Sequence, residues 1–128
     1  MVTKQYNPLI SVMVPTYNQA AYIQDAVASV LEQTYKNIEV VIADDCSTDQ
    51  TAEKVKPFLQ DSRVRYVRNP QNLGRVENYR MTLYERTHGE WVINIDGDDV
   101  LTDPSYFASA VRIAEENENA ALVYAKRG

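Results

Sequence analysis

The sequence predicts an α/β fold: a mostly parallel sheet covered by helices on both faces. Three observations carry this. Short apolar runs of strand length alternate with segments of helical period along the whole chain. The runs are apolar enough to be buried on both sides, as parallel strands are. Polar residues collect just after the strands, where such sheets bind ligands near a switch in strand order. The 128 residues suffice for one domain with a substantial core.

The elements follow in order. L9-I-S-V-M-V14 reads as a buried strand that Pro15 ends. From Gln19 to about Gln33 the period is helical, with Ile23, Val27, Val30 and Leu31 on one face and Asn18 as the N-cap. I38-E-V-V-I-A43 is the second strand. Ser47 and Gln50 have capping-box spacing and open a helix over 48–59, which Pro57 ends or bends. Residues 64–68 form a short strand, and N72-L-G74 a turn. A helix follows over 75–87, stopped by Gly89. Residues 90–95 are the most apolar strand of the second half. Asp103-Pro104 supplies an N-cap and a proline at the first helical position, for a helix reaching Asn117. Residues 121–125 are the last strand.

Composition narrows the function. A formal charge of −5 argues against a nucleic-acid partner, since binding phosphate backbones needs a basic surface. The single cysteine, Cys46, excludes an intrachain disulfide and fits a cytoplasmic setting. No apolar run reaches the roughly 18 residues of a membrane span, and M-V-T-K-Q-Y-N-P has no signal-peptide core. Any membrane association would come from the rest of a longer parent protein.

The residues after the strands are P15-T-Y-N18, D44-D-C-S-T-D49, N69-P-Q-N-L-G-R75 and D96-G-D-D99. Two of these are carboxylate clusters. Asp103 and Asp49 read as caps. Asp99 either starts the next loop or touches a ligand. Asp96 and Asp98 form a D-x-D pair able to surround a common point, with hard oxygen ligands suited to Mg²⁺ or Mn²⁺. Water and a ligand's phosphates would complete the shell, and the cation would cancel the mutual repulsion of the acids. Gly97 would let the backbone turn between them. Tyr17 either stacks on a flat base or packs in the core, while Asp45 is placed to accept a base N–H. Gly74 permits close backbone approach, and Arg75 offers a cation for phosphate where the helix dipole disfavours one. His88 reads as a structural cation at a helix end, and Cys46 as inert.

These four stretches in this order resemble the inverting family 2 glycosyltransferases of GT-A fold. The resemblance implies a Rossmann-like nucleotide-binding half, so that residues 1–128 would be one domain, the N-terminal part of a longer enzyme. It implies a nucleotide-diphosphate-sugar donor, by default a UDP-sugar, and a saccharide or lipid-linked acceptor. It assigns Pro15, Thr16, Tyr17 and Asn18, with the Asp44-Asp45 pair, to the nucleotide, and within the pair Asp45 to the base. Asp98 would hold the metal bridging the diphosphate, Asp96 would lie near ribose and metal, and Asn72, Gly74 and Arg75 would lie near the diphosphate or base. Two departures stand out. Cys46 replaces the glycine of the usual D-D-G-S, which puts the loop's shape in question. The general base, usually an aspartate well past the D-x-D, is expected beyond Gly128, leaving an isolated fragment inactive or weakly active.

Two other readings compete. I95-D-G-D-D-V-L101 looks like the nucleophile motif of haloacid-dehalogenase-like phosphatases, but that motif belongs on the first strand. V41-I-A-D-D45 looks like the acidic pair of a non-enzymatic phospho-receiver domain, but that pair also follows a first strand.

Overall fold

The computed structural model of this chain describes residues 5–117 and residue 119. Four strands, β1 (Ile10–Thr16), β2 (Ile38–Asp44), β3 (Val64–Arg68) and β4 (Trp91–Asn94), alternate with four helices. These are α1 (Ile23–Leu31), α2 (Thr51–Val55), α3 (Arg75–Met81) and α4 (Tyr106–Glu116). The sheet order is β3-β2-β1-β4 and every pairing is parallel. The strand expected at 121–125 lies outside the described residues.

Alternation of side chains across the sheet sorts the core into two layers. Ile10, Val12 and Val14 of β1 and Ile38, Val40 and Ile42 of β2 pack with Ile23, Val27 and Val30 of α1, Val55 of α2, and Phe107 and Val111 of α4. The intervening residues Met13, Val41 and Ala43 are equally buried on the other face. There Asn78 of α3 donates to the Ala43 carbonyl at 3.0 Å.

Several local expectations shift. Pro15 does not end β1, which runs on to Thr16. The Pro15 carbonyl accepts from Gly97 N, so its missing N–H faces the chain after β4, past the Met13–Asn94 pair where the β1–β4 ladder ends, and not β2, with which pairing continues to Thr16. Asn18 does not cap α1, which begins at Ile23 after a turn closed on the Gln19 carbonyl. Ser47 and Gln50 form no capping box, since α2 begins at Thr51 without a side-chain cap at Gln50. As expected, Pro57 alters that helix, which continues as a 3₁₀ turn over Lys56–Gln60. The helix over 75–87 is α3 followed by a wider π-type turn, Thr82–Arg86. Asp103 is not the N-cap of α4 and Pro104 is not its first residue: the helix begins at Tyr106 after Ser105, and Asp103, two residues before that cap, closes the turn ahead of it, with Ser105 N and Oγ donating to its carboxylate at 2.9 and 2.7 Å.

Gly89 and His88 have roles other than ending a helix. A side chain at Gly89 would lie 2.6 Å from Ser11 N and 2.7 Å from the Leu9 carbonyl, so glycine allows the start of β4 to meet β1. Ser11 Oγ accepts from Gly89 N at 2.7 Å and donates to Glu39, whose carboxylate also accepts from His88 N at 2.6 Å. The His88 ring lies 3.1 Å from the same carboxylate. Burial alone would raise the Glu39 carboxyl, but the donors from Ser11 and His88 together hold it below its ordinary value of 4.5.

A carboxyl depressed in the folded state stabilises the fold above its unfolded pKa, and that contribution fades as pH falls through the folded value. Glu39→Gln should therefore lower Tm at neutral pH and flatten the fall in Tm on acidification below pH 4.5. Thermal melts against pH check this, and an unchanged acid slope would count against Glu39 as a source of it.

Candidate functional site

From β1 the chain steps outward to β2 and β3, then crosses back to place β4 on the other side of β1. The switch in strand order therefore lies between β1 and β4, where open α/β sheets form a ligand crevice. A cleft of about 420 Å³ occupies this position. Of the residues singled out in the sequence, Pro15, Thr16, Tyr17, Asp45, Asn72, Gly74, Arg75, Asp96 and Asp98 line it. Asn18 and Asp44 do not. Gln19 and Asn78 line it as well, though sequence reasoning did not single them out.

Asn18 serves as a tie between loops. Its backbone lies in the left-handed region, φ 51°, which asparagine tolerates. Its Oδ1 accepts from Thr48 N at 2.7 Å and Asp49 N at 3.3 Å, while its own N–H donates to Ser47 Oγ at 2.9 Å. Asp49 completes the stitching by accepting from Thr51 N and Ala20 N at 2.9 and 3.1 Å. Its role is to close the turn before α2, as expected of it.

The adjacent acids Asp44 and Asp45 divide the work. Asp44 is fully buried and is consumed by the protein: Ser47 N and Oγ donate to it at 2.9 and 2.6 Å, the Tyr66 hydroxyl donates to it, and Arg68 lies 3.5 Å away. Burial, and then the bond to Asp44, push the Tyr66 hydroxyl up to about 12, so it remains a donor at neutral pH. Asp45 points the other way. It accepts from Leu73 N at 2.8 Å and Gly74 N at 3.0 Å, fixing the loop after β3 against the cleft. Gly74 there has φ 91° and ψ 158°, a conformation open essentially only to glycine.

Cys46, where the usual motif has glycine, lies in the loop between these acids and α2. Cys46 itself adopts φ 68°, the left-handed conformation that a glycine would take without strain.

At the other end of the cleft, ligand atoms of Asp96, Asp98 and Asp99 all lie within 4.8 Å of one another. Asp99 thus joins the pair. Asp98 and Asp99 are exposed, leaving room for water. A cluster of hard oxygen donors with open positions fits a Mg²⁺ or Mn²⁺ ion. Asp96 is braced by Asn94 Nδ2 at 3.0 Å and by the exposed Arg75 guanidinium at 3.3 Å. Gly97 is needed for space and not for an unusual turn: a Cβ there would lie 2.6 Å from Thr16 Oγ1 and 2.9 Å from Thr16 Cβ. Tyr17 is 46% exposed at the cleft wall, which removes the core-packing alternative.

A four-stranded parallel sheet with this cleft at its switch point is the nucleotide-binding part of a GT-A fold. The chain belongs to glycosyl transferase family 2, whose profile matches residues 11–127. It is 38% identical over 96 residues to the glycosyltransferase GlyG of Streptococcus pneumoniae, covering 74% of this chain and 32% of GlyG. It is 39% identical over 95 residues to the putative teichuronic acid biosynthesis glycosyltransferase TuaG of Bacillus subtilis, covering 73% of this chain and 37% of TuaG. The chain therefore spans about a third of the length of these curated relatives. Among solved structures, Staphylococcus aureus TarS with UDP superposes with a TM-score of 0.79 at 30% identity, covering 85% of this chain and 32% of that one. A mannosyltransferase from Pyrobaculum calidifontis, in complex with GDP-Man and Mn²⁺, gives 0.78 at 30% identity, over 85% and 33% of the two chains. Family membership sets aside the phosphatase and receiver readings. No helix among the described residues is long and apolar enough to cross a membrane.

Two substitutions test the geometry. Gly97→Ala should cost about 1–3 kcal/mol by overpacking against Thr16, read by urea unfolding. Cys46→Gly should be neutral or stabilising by up to about 1 kcal/mol, because relief of left-handed strain opposes the extra chain entropy of glycine. A large loss of stability in Cys46→Gly would mean that the cysteine side chain, and not the backbone shape, is what the loop needs.

Proposed function

We propose that this chain carries the donor side of an inverting sugar transfer from a nucleotide-diphosphate sugar, by default a UDP-sugar, assisted by Mg²⁺ or Mn²⁺. One observation carries the reading: a single cleft is lined both by a buried acceptor, Asp45, and by the Asp96 and Asp98 carboxylates, with Asp99 clustered beside them. The structures of TarS with UDP and UDP-GlcNAc, and of the mannosyltransferase with Mn²⁺, support the choice of donor class and ion.

In this reading the Tyr17 ring offers a face for the base, and Asp45 accepts one of its N–H groups. The loop of Asn72 and Gly74 lets the nucleotide approach the backbone, and Arg75 meets phosphate oxygens. Asp96 and Asp98, with Asp99 beside them, hold the ion. When bound, it supplies positive charge against the departing diphosphate. The acceptor hydroxyl attacks the anomeric carbon opposite the leaving group, so its proton goes to a carboxylate on that side. Each cleft carboxylate already has another task, and the reading places this base and the site for a saccharide or lipid-linked acceptor beyond Gly128. Residues 1–128 are read as one folding unit in a cytoplasmic setting.

UDP with Mn²⁺ should raise Tm, since a ligand at a hundred times its Kd stabilises the native state by about 2.7 kcal/mol. Asp98→Ala should abolish the metal-dependent part of that shift. Asp103→Ala should retain it, because that carboxylate is engaged with Ser105. No shift with any nucleoside diphosphate and metal would overturn the reading, and equal losses in the two variants would overturn the assignment of the acids.

A further inference from the structure

We infer that Asn69 and Arg86 are positioning residues for nucleobase recognition: together they fix the Asp45 carboxylate so that one acceptor position is left to the ligand. The inference rests on the nucleotide reading of the cleft and goes beyond it, since neither residue lines the cleft.

The argument is one of donors and acceptors. Asn69 directly follows β3, its N–H extends the ladder to the Asp44 carbonyl at 2.8 Å, and it is 1% exposed. Its side-chain Nδ2 donates to Asp45 Oδ1 at 3.0 Å and to Asn78 Oδ1 at 2.9 Å. Its Oδ1 accepts from the Arg86 guanidinium at 2.7 Å. A guanidinium only donates, and a carboxylate only accepts. The Asn69 amide therefore has one satisfactory orientation, with oxygen toward Arg86 and nitrogen toward Asp45. Asn78 is fixed by the same logic, because its Nδ2 donates to the Ala43 carbonyl and its Oδ1 must accept from Asn69. Arg86 thus sets a direction of donation that ends at the cleft.

The consequence appears at Asp45. A carboxylate has about four lone-pair positions. Asn69 Nδ2 and Leu73 N occupy two on Oδ1, and Gly74 N occupies one on Oδ2. One position on Oδ2 remains, on a residue that lines the cleft. A ligand edge meeting it must bring a hydrogen. Uracil has a ring N–H to offer, whereas cytosine presents a bare ring nitrogen at the equivalent position. Without the Asn69 donor, the carboxylate is held only by the backbone donors of Leu73 and Gly74, and Oδ1 gains a free position. Without Arg86, the buried Asn69 Oδ1 loses its donor, and the amide must shift to regain one, which loosens its bond to Asp45. Either change weakens discrimination between the two bases without touching the ligand.

Calorimetry of UDP and CDP with saturating Mn²⁺, well below each protein's Tm, tests this. The wild type should prefer UDP. In Asn69→Ser and Arg86→Met, UDP affinity should fall about tenfold, as for one hydrogen bond to a charged group, with CDP affinity and Mn²⁺ affinity unmoved. Arg86→Lys keeps a donor toward Asn69 and should retain the preference. A buried amide with a merely structural role would lower Tm and leave the UDP-to-CDP ratio of the folded protein alone; that result, or an equal loss for both nucleotides, overturns the inference. Should these variants not fold, the wild type still decides: its Asn69 side-chain NH₂ resonances should shift with UDP and Mg²⁺ and not with Mg²⁺ alone, and their silence would overturn it. A wild type that binds neither nucleotide would sink the nucleotide reading itself, whereas normal UDP binding with an unmoved ratio sinks only this inference.

Discussion

The structure around the cleft depends on two adjacent carboxylates pointing to opposite faces of the sheet at the end of β2. The ends of parallel strands leave backbone donors without a ladder, and the loops beyond them have no regular structure to take those donors up. Asp44 and Asp45 take them up in opposite directions. Asp44 gathers Ser47, Tyr66 and Arg68 on the face of α1 and α2. Asp45 gathers the loop after β3 on the face of α3. The period of two along a strand makes this division unavoidable. One acid is spent on structure, and only the other can face a ligand.

The same logic spreads around the switch point. Asn18 and Asp49 join the loop after β1 to that after β2 by side-chain acceptors on backbone donors. Asp45 joins the loop after β2 to that after β3, and Gly97 N donates to the Pro15 carbonyl to bring the loop after β4 against β1. Each loop is thereby held by its neighbour. Cys46 tolerates a left-handed backbone in the midst of this because the bonds on either side of it determine the loop's path.

Much of this was legible in the sequence, and the failures share one cause. The strand runs, the parallel sheet and the acidic strand ends follow from local apolar patterning. Asp103 and Asp49 could be read because their partners lie two residues away. Asn18 and Ser47 were misread because each also fits a local capping pattern, while its actual partners lie in another loop or in Asp44. Gly97 and Gly89 signal glycine without saying why; the reason is a neighbouring strand that local sequence does not contain. Asn69 stood in the stretch after β3 without a role of its own, and Asn78 and Arg86 gave no local signal, since a polar residue within a helix is ordinarily solvated. Only pairing across the fold turns them into a network.

The two ends of the cleft differ in how much order they already possess. Around Asp45 the Asn69 donor is buried and the backbone donors of Leu73 and Gly74 are held in place by the same carboxylate, so under the proposed reading the nucleobase meets a surface that needs no rearrangement, which favours selectivity. Around Asp96 the groups are exposed and carry like charge, relieved among the described residues by Asn94 and by an arginine whose side chain is itself 88% exposed. Exposed ion pairs of this kind contribute roughly 0–1 kcal/mol. Arg75 is therefore cheaply released from Asp96, and under the same reading a divalent ion entering there would free a cation beside the place where phosphate would lie. Order at that end would arrive with the ion and the diphosphate together, so that the base end selects the ligand and the acidic end is completed by it.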